Sequence, residues 1–349
     1  MKSHKSFFSF CILLIACLLC HETNAQYATK EINEIHQKYT DSLKQVDYNY
    51  VLPILGQEAY RKGFDIPYPV GFMGNFIWIR QNILLENMQL GLQTDNVDIP
   101  LTPVDEVLQF GDNLNTSYAA NIRPDVWILP FLNVYGIFGA GNSLTEVSLI
   151  SPIFFETEVE QDMTTAGFGI LGAGGIGPLW FSIDANLTWN KPILLDRPVR
   201  VSAIGFRLGH TVKFKTKPQS NVAFWFGTMR IAMDSQTKGE IELIDALPPS
   251  VWERRDEIVD NYYDWYENEA TPPQRKIADQ VLTPIVERLE EADGSAVIRY
   301  AMDKQVAQKW NGIIGAQYQI NKRWMIRSEG GIIGNRSSFY FSVNYRLKI

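Results

Sequence analysis

The chain has 349 residues, of which 46% are hydrophobic, 12% aromatic and 20% charged, with a formal net charge of −7. Mild acidity argues against a partner held by a basic surface, nucleic acid above all. Beyond the first 25 residues no window of ~20 apolar residues occurs, which excludes a membrane-spanning helix but leaves spanning strands open.

Those first residues read as a secretory signal peptide. Lys2 and Lys5 form a basic start, residues 7–19 an apolar run, and Thr23-Asn24-Ala25 places a small residue before the cut. Cleavage before Gln26 is the main reading. Leu14-Ile15-Ala16-Cys17 also fits the box that precedes a lipidated cysteine, so lipidation at Cys17 stays open as an alternative. Cleavage at Ala25 removes Cys11, Cys17 and Cys20 and leaves an exported chain without a thiol, with no need of disulfides or thiolate metal sites. Losing Lys2, Lys5 and Glu22 with that segment takes the net charge from −7 to −8.

Residues 26–62 open with Ile32, Ile35, Tyr39 and Leu43 at three- and four-residue spacing among charged and amide side chains. That spacing predicts a short amphipathic helix, assigned to the periplasmic side. Pro53, Gly56, Gly63, Pro67 and Pro69 then break regular structure. From Val70 onward the period becomes two, as expected of strands whose side chains alternate faces. Val70, Phe72, Gly74, Phe76 and Trp78 share a face opposite Met73, Asn75 and Gln81. Residues 86–116 carry Asn96, Asp98, Pro100, Pro103 and Gly111 and read as a long loop, with a strand extension near 88–93.

A hairpin follows, with Tyr118, Ala120, Ile122, Val126 and Ile128 on one face and Asn121, Arg123, Asp125 and Trp127 on the other. Pro130 interrupts it because it cannot donate to a ladder. After a predicted loop at 142–162, residues 164–175 and 179–190 form a second pair around Gly177-Pro178. There Leu179, Phe181, Ile183, Ala185 and Leu187 alternate with Trp180, Ser182, Asp184, Asn186 and Thr188. Asp and Asn directly behind an apolar face fit lipid outside and a wet lumen inside. A soluble exported sandwich is the competing fold. A third pair spans about 198–214 and 221–233, and the last three strands 309–319, 323–333 and 337–349.

The closing segment, SSFYFSVNYRLKI, puts Phe339, Phe341, Val343, Tyr345, Leu347 and Ile349 on one side. Ser338, Tyr340, Ser342, Asn344, Arg346 and Lys348 lie on the other. It exceeds the usual ~5–6 residues of a globular strand. It resembles the closing strand of bacterial outer-membrane barrels, and the resemblance implies barrel assembly machinery and outer-membrane lipid as partners. The expected fold is therefore all-β: an antiparallel transmembrane β-barrel of about ten strands, within eight to twelve. Counted back from a periplasmic C-terminus, the loops near 95–115, 142–162, 190–197 and 234–308 face outward.

The stretch 234–308 is the part that is not barrel, and its centre, about 245–300, reads as an inserted α-helical hairpin. Ser250-Val-Trp-Glu253 and Thr271-Pro-Pro-Gln274 both read as capping-box starts. The first helix should run to about Asn268. The second should run to about Glu291, kinked or broken at Pro284. Twelve acids against five bases between Glu253 and Asp293 concentrate a net −7 there. Trp252, Val259, Tyr262, Tyr263 and Tyr266 form a stripe expected to pack on the partner helix. The alternative is an aromatic face open to a ligand or partner.

Chemistry is sparse. Outside the signal segment only His36 and His210 occur, and neither has a Ser and an orienting acid signalled beside it. Gly172-Ala-Gly-Gly-Ile-Gly177 lacks the Lys-Ser/Thr of a phosphate loop. No catalytic, cofactor or metal residues are expected, and so no enzyme. What alternation does turn inward is charge: Arg123, Asp125, Asp184, Arg207, Arg327, Glu329 and Arg346. In a barrel of about ten strands such groups pair across the lumen and close it, since open channels need roughly 16–18 strands. A selective pore is the alternative.

The runs Lys62-Gly-Phe-Asp-Ile-Pro-Tyr-Pro-Val-Gly71, Arg123-Pro-Asp-Val-Trp-Ile-Leu-Pro-Phe-Leu-Asn-Val-Tyr-Gly136 and Trp324…Glu329-Gly-Gly…Tyr345-Arg-Leu together resemble a family of uncharacterised Gram-negative outer-membrane β-barrel proteins. The resemblance covers about 52 to the end without most of 245–300. It implies location and fold and supplies no ligand or catalytic residues. The functional expectation is a non-enzymatic structural or surface-interaction protein acting through its external loops and acidic hairpin. A narrow channel or transporter for small solutes is the alternative.

Overall fold

The computed structural model describes residues 26–348 apart from 177–178, 194–196, 215–216 and 235. The expected signal peptide with Cys17, the Gly177-Pro178 turn and Ile349 lie outside the described residues. In chain order the strands are β1 (Val70–Gln93), β2 (Asp98–Pro103), β3 (Gln109–Phe110), β4 (Asn113–Leu129), β5 (Leu132–Ser151), β6 (Phe155–Ile176) and β7 (Leu179–Pro192). They continue as β8 (Val199–Lys213), β9 (Asn221–Asp234), β10 (Gln236–Glu242), β11 (Val297–Val306), β12 (Trp310–Gln319), β13 (Trp324–Ile333) and β14 (Arg336–Leu347).

Ten of these close a ring in the order β1-β4-β5-β6-β7-β8-β9-β12-β13-β14, every pair antiparallel. Closure happens at Val70, which lies opposite Val126 of β4 on one edge and Leu347 of β14 on the other. A closed ring has no unpaired edge, which is what a strand structure needs in lipid. Phe72, Ile122, Phe138, Phe181, Phe226 and Phe339 are exposed on the outer wall, while Asn75, Asn121, Ser182 and Ser342 are buried inside. Apolar-out and polar-in is the pattern of a transmembrane barrel. No described helix is long and apolar enough to cross a membrane. On β1 the apolar outward run ends at exposed Arg80, which marks the far edge of the lipid-facing belt.

Beyond that edge the wall continues on one side. β5 and β6 stay paired from Leu132–Gly172 up to Leu149–Phe155, so the loop expected at 142–162 is a strand extension with a short turn. The pattern there hid it. Above the lipid one face meets water and the other the cap, so apolar-out alternation lapses while backbone pairing persists. Within 86–116 the strand extension expected near 88–93 is the upper end of β1, which runs to Gln93, while the rest of the expected loop also carries β2, β3 and the start of β4. β13 and β14 form a short hairpin, and the space above them is filled by β11, which pairs with the upper half of β1. β10 extends the β9 wall and pairs with β11 from Gln236–Asp303 to Glu242–Val297.

The insertion folds as α3 (Leu243–Ala246), α4 (Pro249–Glu253), α5 (Arg255–Asp264), α6 (Pro272–Ile277) and α7 (Thr283–Glu290). A π-helical turn, Trp265–Glu269, follows α5, and a second, Ala278–Leu282, joins α6 to α7. The Thr271–Gln274 capping box forms, and Gln274 Nε2 also donates to the Glu106 carbonyl at 2.9 Å. The Ser250 box does not. Pro248 is the N-cap and Ser250 lies inside α4, because the Pro248-Pro249 pair starts the helix two residues earlier without needing an N–H. Pro284 breaks nothing: the wide π turn before it takes up the bond its ring cannot make.

Tyr262, Ile258, Val281, Val286 and Leu289 bury together with Met88, Val104 and Val107 beneath them. The aromatic stripe thus packs inward. Tyr262 shares a 2.7 Å hydrogen bond with Thr283, and the Tyr266 hydroxyl donates to Asp279 at 2.6 Å. Burial pushes the Tyr262 hydroxyl up to about 12, its bond to Thr283 pulling the other way. The helices therefore sit over one mouth of the barrel as a folded cap.

At the other mouth, which carries both chain ends, α1 (Gln26–Lys44) and α2 (Gly56–Arg61) lie against the rim. Lys322, in the turn between β12 and β13, pairs with Asp65 at 2.7 Å and lies over the Tyr60 ring at 5.5 Å.

Candidate functional site: the lumen beneath the cap

Side chains from the barrel strands alternate inward, with polar or apolar character according to height. At mid-height, Arg207 on β8 donates through Nε and Nη2 to Glu329 on β13 at 2.6 and 2.9 Å and also pairs with Asp184 on β7. Arg327 donates to Glu329 at 3.0 Å, and Trp225 Nε1 donates to it at 2.8 Å. Arg327 lies over the Trp225 ring at 4.6 Å, and Trp180 meets that ring edge-on at 5.8 Å. Gly315 and Gly209 make room for the two indoles, since a Cβ at either would strike a ring. Two cations and two carboxylates so arranged balance their charge within one dry cluster, the condition under which buried ions are tolerated.

Nearer the terminal rim, Arg346 donates to Asp125 at 2.6 Å and to the carbonyls of Tyr68 and Pro69 at 2.6 and 3.2 Å. Asn133 donates to the same carboxylate at 2.7 Å. This fastens the segment leading into β1 to the barrel wall. Of the seven charges expected inside, four meet in the Arg207 network and two in the Arg346 pair. Arg123 stands apart over the Tyr135 ring at 5.2 Å, and its Nε has no hydrogen-bond partner among the described residues.

A cavity of about 1180 Å³ runs from Asp65 and Lys322 at the terminal rim to the underside of the cap. Its lower wall is polar. Its upper wall is apolar, with Met88, Val147, Met233, Ile298 and Met302 from the strands and Ile258, Ile285 and Leu289 from the cap. At the join, level with the edge of the lipid belt, sits Lys304 of β11. Its ammonium reaches across the lumen to donate to Thr145 of β5 at 3.1 Å. Asn115 also donates to Thr145 at 3.1 Å and to Ser143 at 2.8 Å. Among the described residues no carboxylate pairs with Lys304, and burial pushes its pKa down to about 8.

Sequence reasoning missed Lys304, Trp225, Trp180 and Thr145. A signal for Lys304 was present: Ile298, Tyr300, Met302, Lys304 and Val306 alternate, so one cation falls on an otherwise apolar inward face. His210 is exposed on the outer wall, and His36 Nε2 lies 3.1 Å from the Phe214 carbonyl at the terminal rim. Neither histidine reaches the lumen. No group of three or more His, Cys, Asp or Glu side chains that could hold a metal ion occurs among the described residues.

No protein-family model matches the sequence, and no curated protein matches it. The family resemblance read from the motifs therefore gains no support at family level. Among solved structures, the chain is similar to the β domain of the Bordetella autotransporter BrkA, at 6% identity over 80% of this chain and 100% of that one, with a TM-score of 0.36. It is similar also to the transport unit of the autotransporter AIDA-I from Escherichia coli, at 7% identity over 91% and 99%, with a TM-score of 0.29. A third is the translocator domain of the autotransporter NalP from Neisseria meningitidis, at 10% identity over 83% and 92%, with a TM-score of 0.29. Similarity at this level is one of architecture, and no activity passes from those proteins to this chain.

Proposed function

We propose that this is a non-enzymatic outer-membrane barrel of a Gram-negative bacterium that does not conduct ions at rest and acts at the cell surface through its cap. The observation that carries this reading is the Asp184–Arg207–Glu329–Arg327 network, which spans from β7 to β13 across a ten-strand lumen. Barrels of that size have interiors that side chains fill. The terminal rim then faces the periplasm, with assembly machinery reading the closing strand, and the cap faces outward. Glu253, Asp256, Glu257, Asp260, Asp264 and Glu267 are all exposed on α5 and its flanks, a surface fit for a basic or cation-bridged partner.

Planar-bilayer recording tests the reading. Wild-type protein is expected to give no steady current. Steady openings whose selectivity changes in Arg207→Gln would sink it and favour the second reading, a gated transporter of small solutes. That reading is supported by the cavity that continues from the terminal rim to the cap. If His210→Ala altered the lipid composition of the membrane, the non-enzymatic assignment would fall.

A further inference from the structure

We propose that the upper half of the cavity binds a single-chain anionic amphiphile, a long-chain carboxylate, with its head at Lys304 and its tail beneath the cap. This goes beyond the surface-interaction reading and holds or fails whether or not the barrel conducts.

Three observations converge. First, Lys304 is a lone cation held inside the wall. Its one hydrogen-bond partner among the described residues is the neutral Thr145 hydroxyl, and what surface it keeps opens onto the cavity. Charged groups withdrawn from bulk water are normally paired. Lower in the lumen six charged groups follow that rule in the Arg207 and Arg346 clusters, and the seventh, Arg123, lies over the Tyr135 ring. Lys304 has two ammonium hydrogens left to offer an anion.

Second, its neighbours form a ready headgroup site. Thr145, Ser143 and Asn115 bring two hydroxyls and an amide to the same level, on the wall facing the ammonium. One cation with neutral donors balances a single negative charge. A doubly charged phosphate would be left half compensated.

Third, the compartment above is lined mostly by apolar side chains, with Thr237, Glu240 and Tyr300 at its β10–β11 edge. From Lys304 back to Ile298, β11 rises about 20 Å at ~3.3 Å per residue. Met302 and Ile298 along that path face Ile285 and Leu289 of the cap across the cavity. Methionines suit a tail of no fixed shape because they repack readily. The whole cavity, about 1180 Å³, exceeds the roughly 300–1,000 Å³ usual for small-ligand sites. The low lysine pKa fits the same picture, as a desolvated ammonium waiting for a counter-charge.

The test uses the full chain in lipid nanodiscs with radiolabelled palmitate, palmityl alcohol and cetyltrimethylammonium, each corrected for uptake by empty nanodiscs. Wild-type protein should bind palmitate saturably, at one per chain. Lys304→Met should weaken palmitate at least tenfold and leave palmityl alcohol within about threefold. Folding of each variant is checked by its heat-dependent shift in detergent gels. Ile285→Trp provides a second arm that leaves Lys304 in place: it narrows the tail compartment and should weaken palmitate and the alcohol alike. Palmitate affinity should also fall as pH rises past about 8, where the free ammonium loses its proton. Equal binding of palmitate and the cationic amphiphile would overturn the proposal. So would unchanged palmitate affinity in Lys304→Met, or no saturable palmitate binding by folded wild-type protein.

Discussion

Arg207 and Glu329 are separated by 122 residues in the chain, yet Nε and Nη2 of one donate to the two carboxylate oxygens of the other at 2.6 and 2.9 Å. A forked, two-point contact of this kind fixes orientation as well as charge. It ties β8 to β13 across strands β9 and β12 that lie between them in the ring.

Removing one partner of a buried ion pair leaves an uncompensated charge, at a cost of about 3–5 kcal/mol. Glu329→Gln should cost about that much, since it strands Arg327 and leaves Arg207 with Asp184 alone. Asp184→Asn should cost less, because Arg207 keeps both bonds to Glu329. Urea unfolding in liposomes, followed by tryptophan fluorescence, measures both. Equal losses would mean the two carboxylates share Arg207 evenly.

Gly315→Val should displace the Trp225 ring that lies against this glycine and with it the 2.8 Å bond from Trp225 Nε1 to Glu329. A hydrogen bond to a charged group contributes about 1.5–3 kcal/mol. The expected loss in the same unfolding assay is of that order, with a red shift in indole emission as the ring leaves its pocket. Trp225→Phe should lose the bond and keep most of the packing.

Tyr262 is fully buried and holds α5 on α7. Tyr262→Ala should cost about 3–5 kcal/mol, as for other large aromatic truncations. Tyr262→Phe should cost only about 1 kcal/mol, for the lost bond to Thr283. Trypsin on intact cells reads the difference. Cleavage at Arg254, Arg255 or Arg288 should rise sharply in the alanine variant and hardly at all in the phenylalanine one.

Docking of the segment before β1 should depend on pH through Lys322. Burial by itself pushes that ammonium down, but the hydrogen bond and charge of Asp65 outweigh it and hold its pKa above the ordinary lysine range. A folded pKa above the unfolded one gives stability that is complete below about pH 10.4 and lost as pH climbs through the folded value. Hydrogen exchange of residues 56–69 should therefore be flat from neutral pH to about 10 and rise beyond it, after correction for intrinsic rates. Asp65→Asn should give fast exchange already at neutral pH.

The period of two, read from Val70 to the last strand, determined by itself that this chain makes strands with an apolar and a polar face. With the length of the chain it also limited the ring to about ten strands. It turned Asp184, Arg207, Arg327 and Glu329 inward, because a strand side chain has only two directions to choose from. The alternation could not say which of them meet. Pairing depends on the stagger of strands around the closed ring, and Arg207 finds Glu329 only once β9 and β12 are in register between them. The extension at 142–162 was hidden for the complementary reason, since above the lipid no second solvent marks the outer face.

The placement of the helices was likewise a tertiary decision. Trp252, Val259 and Tyr262 announced an apolar face, but a helical stripe does not name what covers it. Val104 and Val107, from a stretch that read as loop, form part of that cover together with Met88. Only with the cap seated does Lys304 become a cation closed into an apolar chamber. In the sequence it is one lysine in an alternating run; its isolation is produced by walls that lie 159 residues away at Thr145.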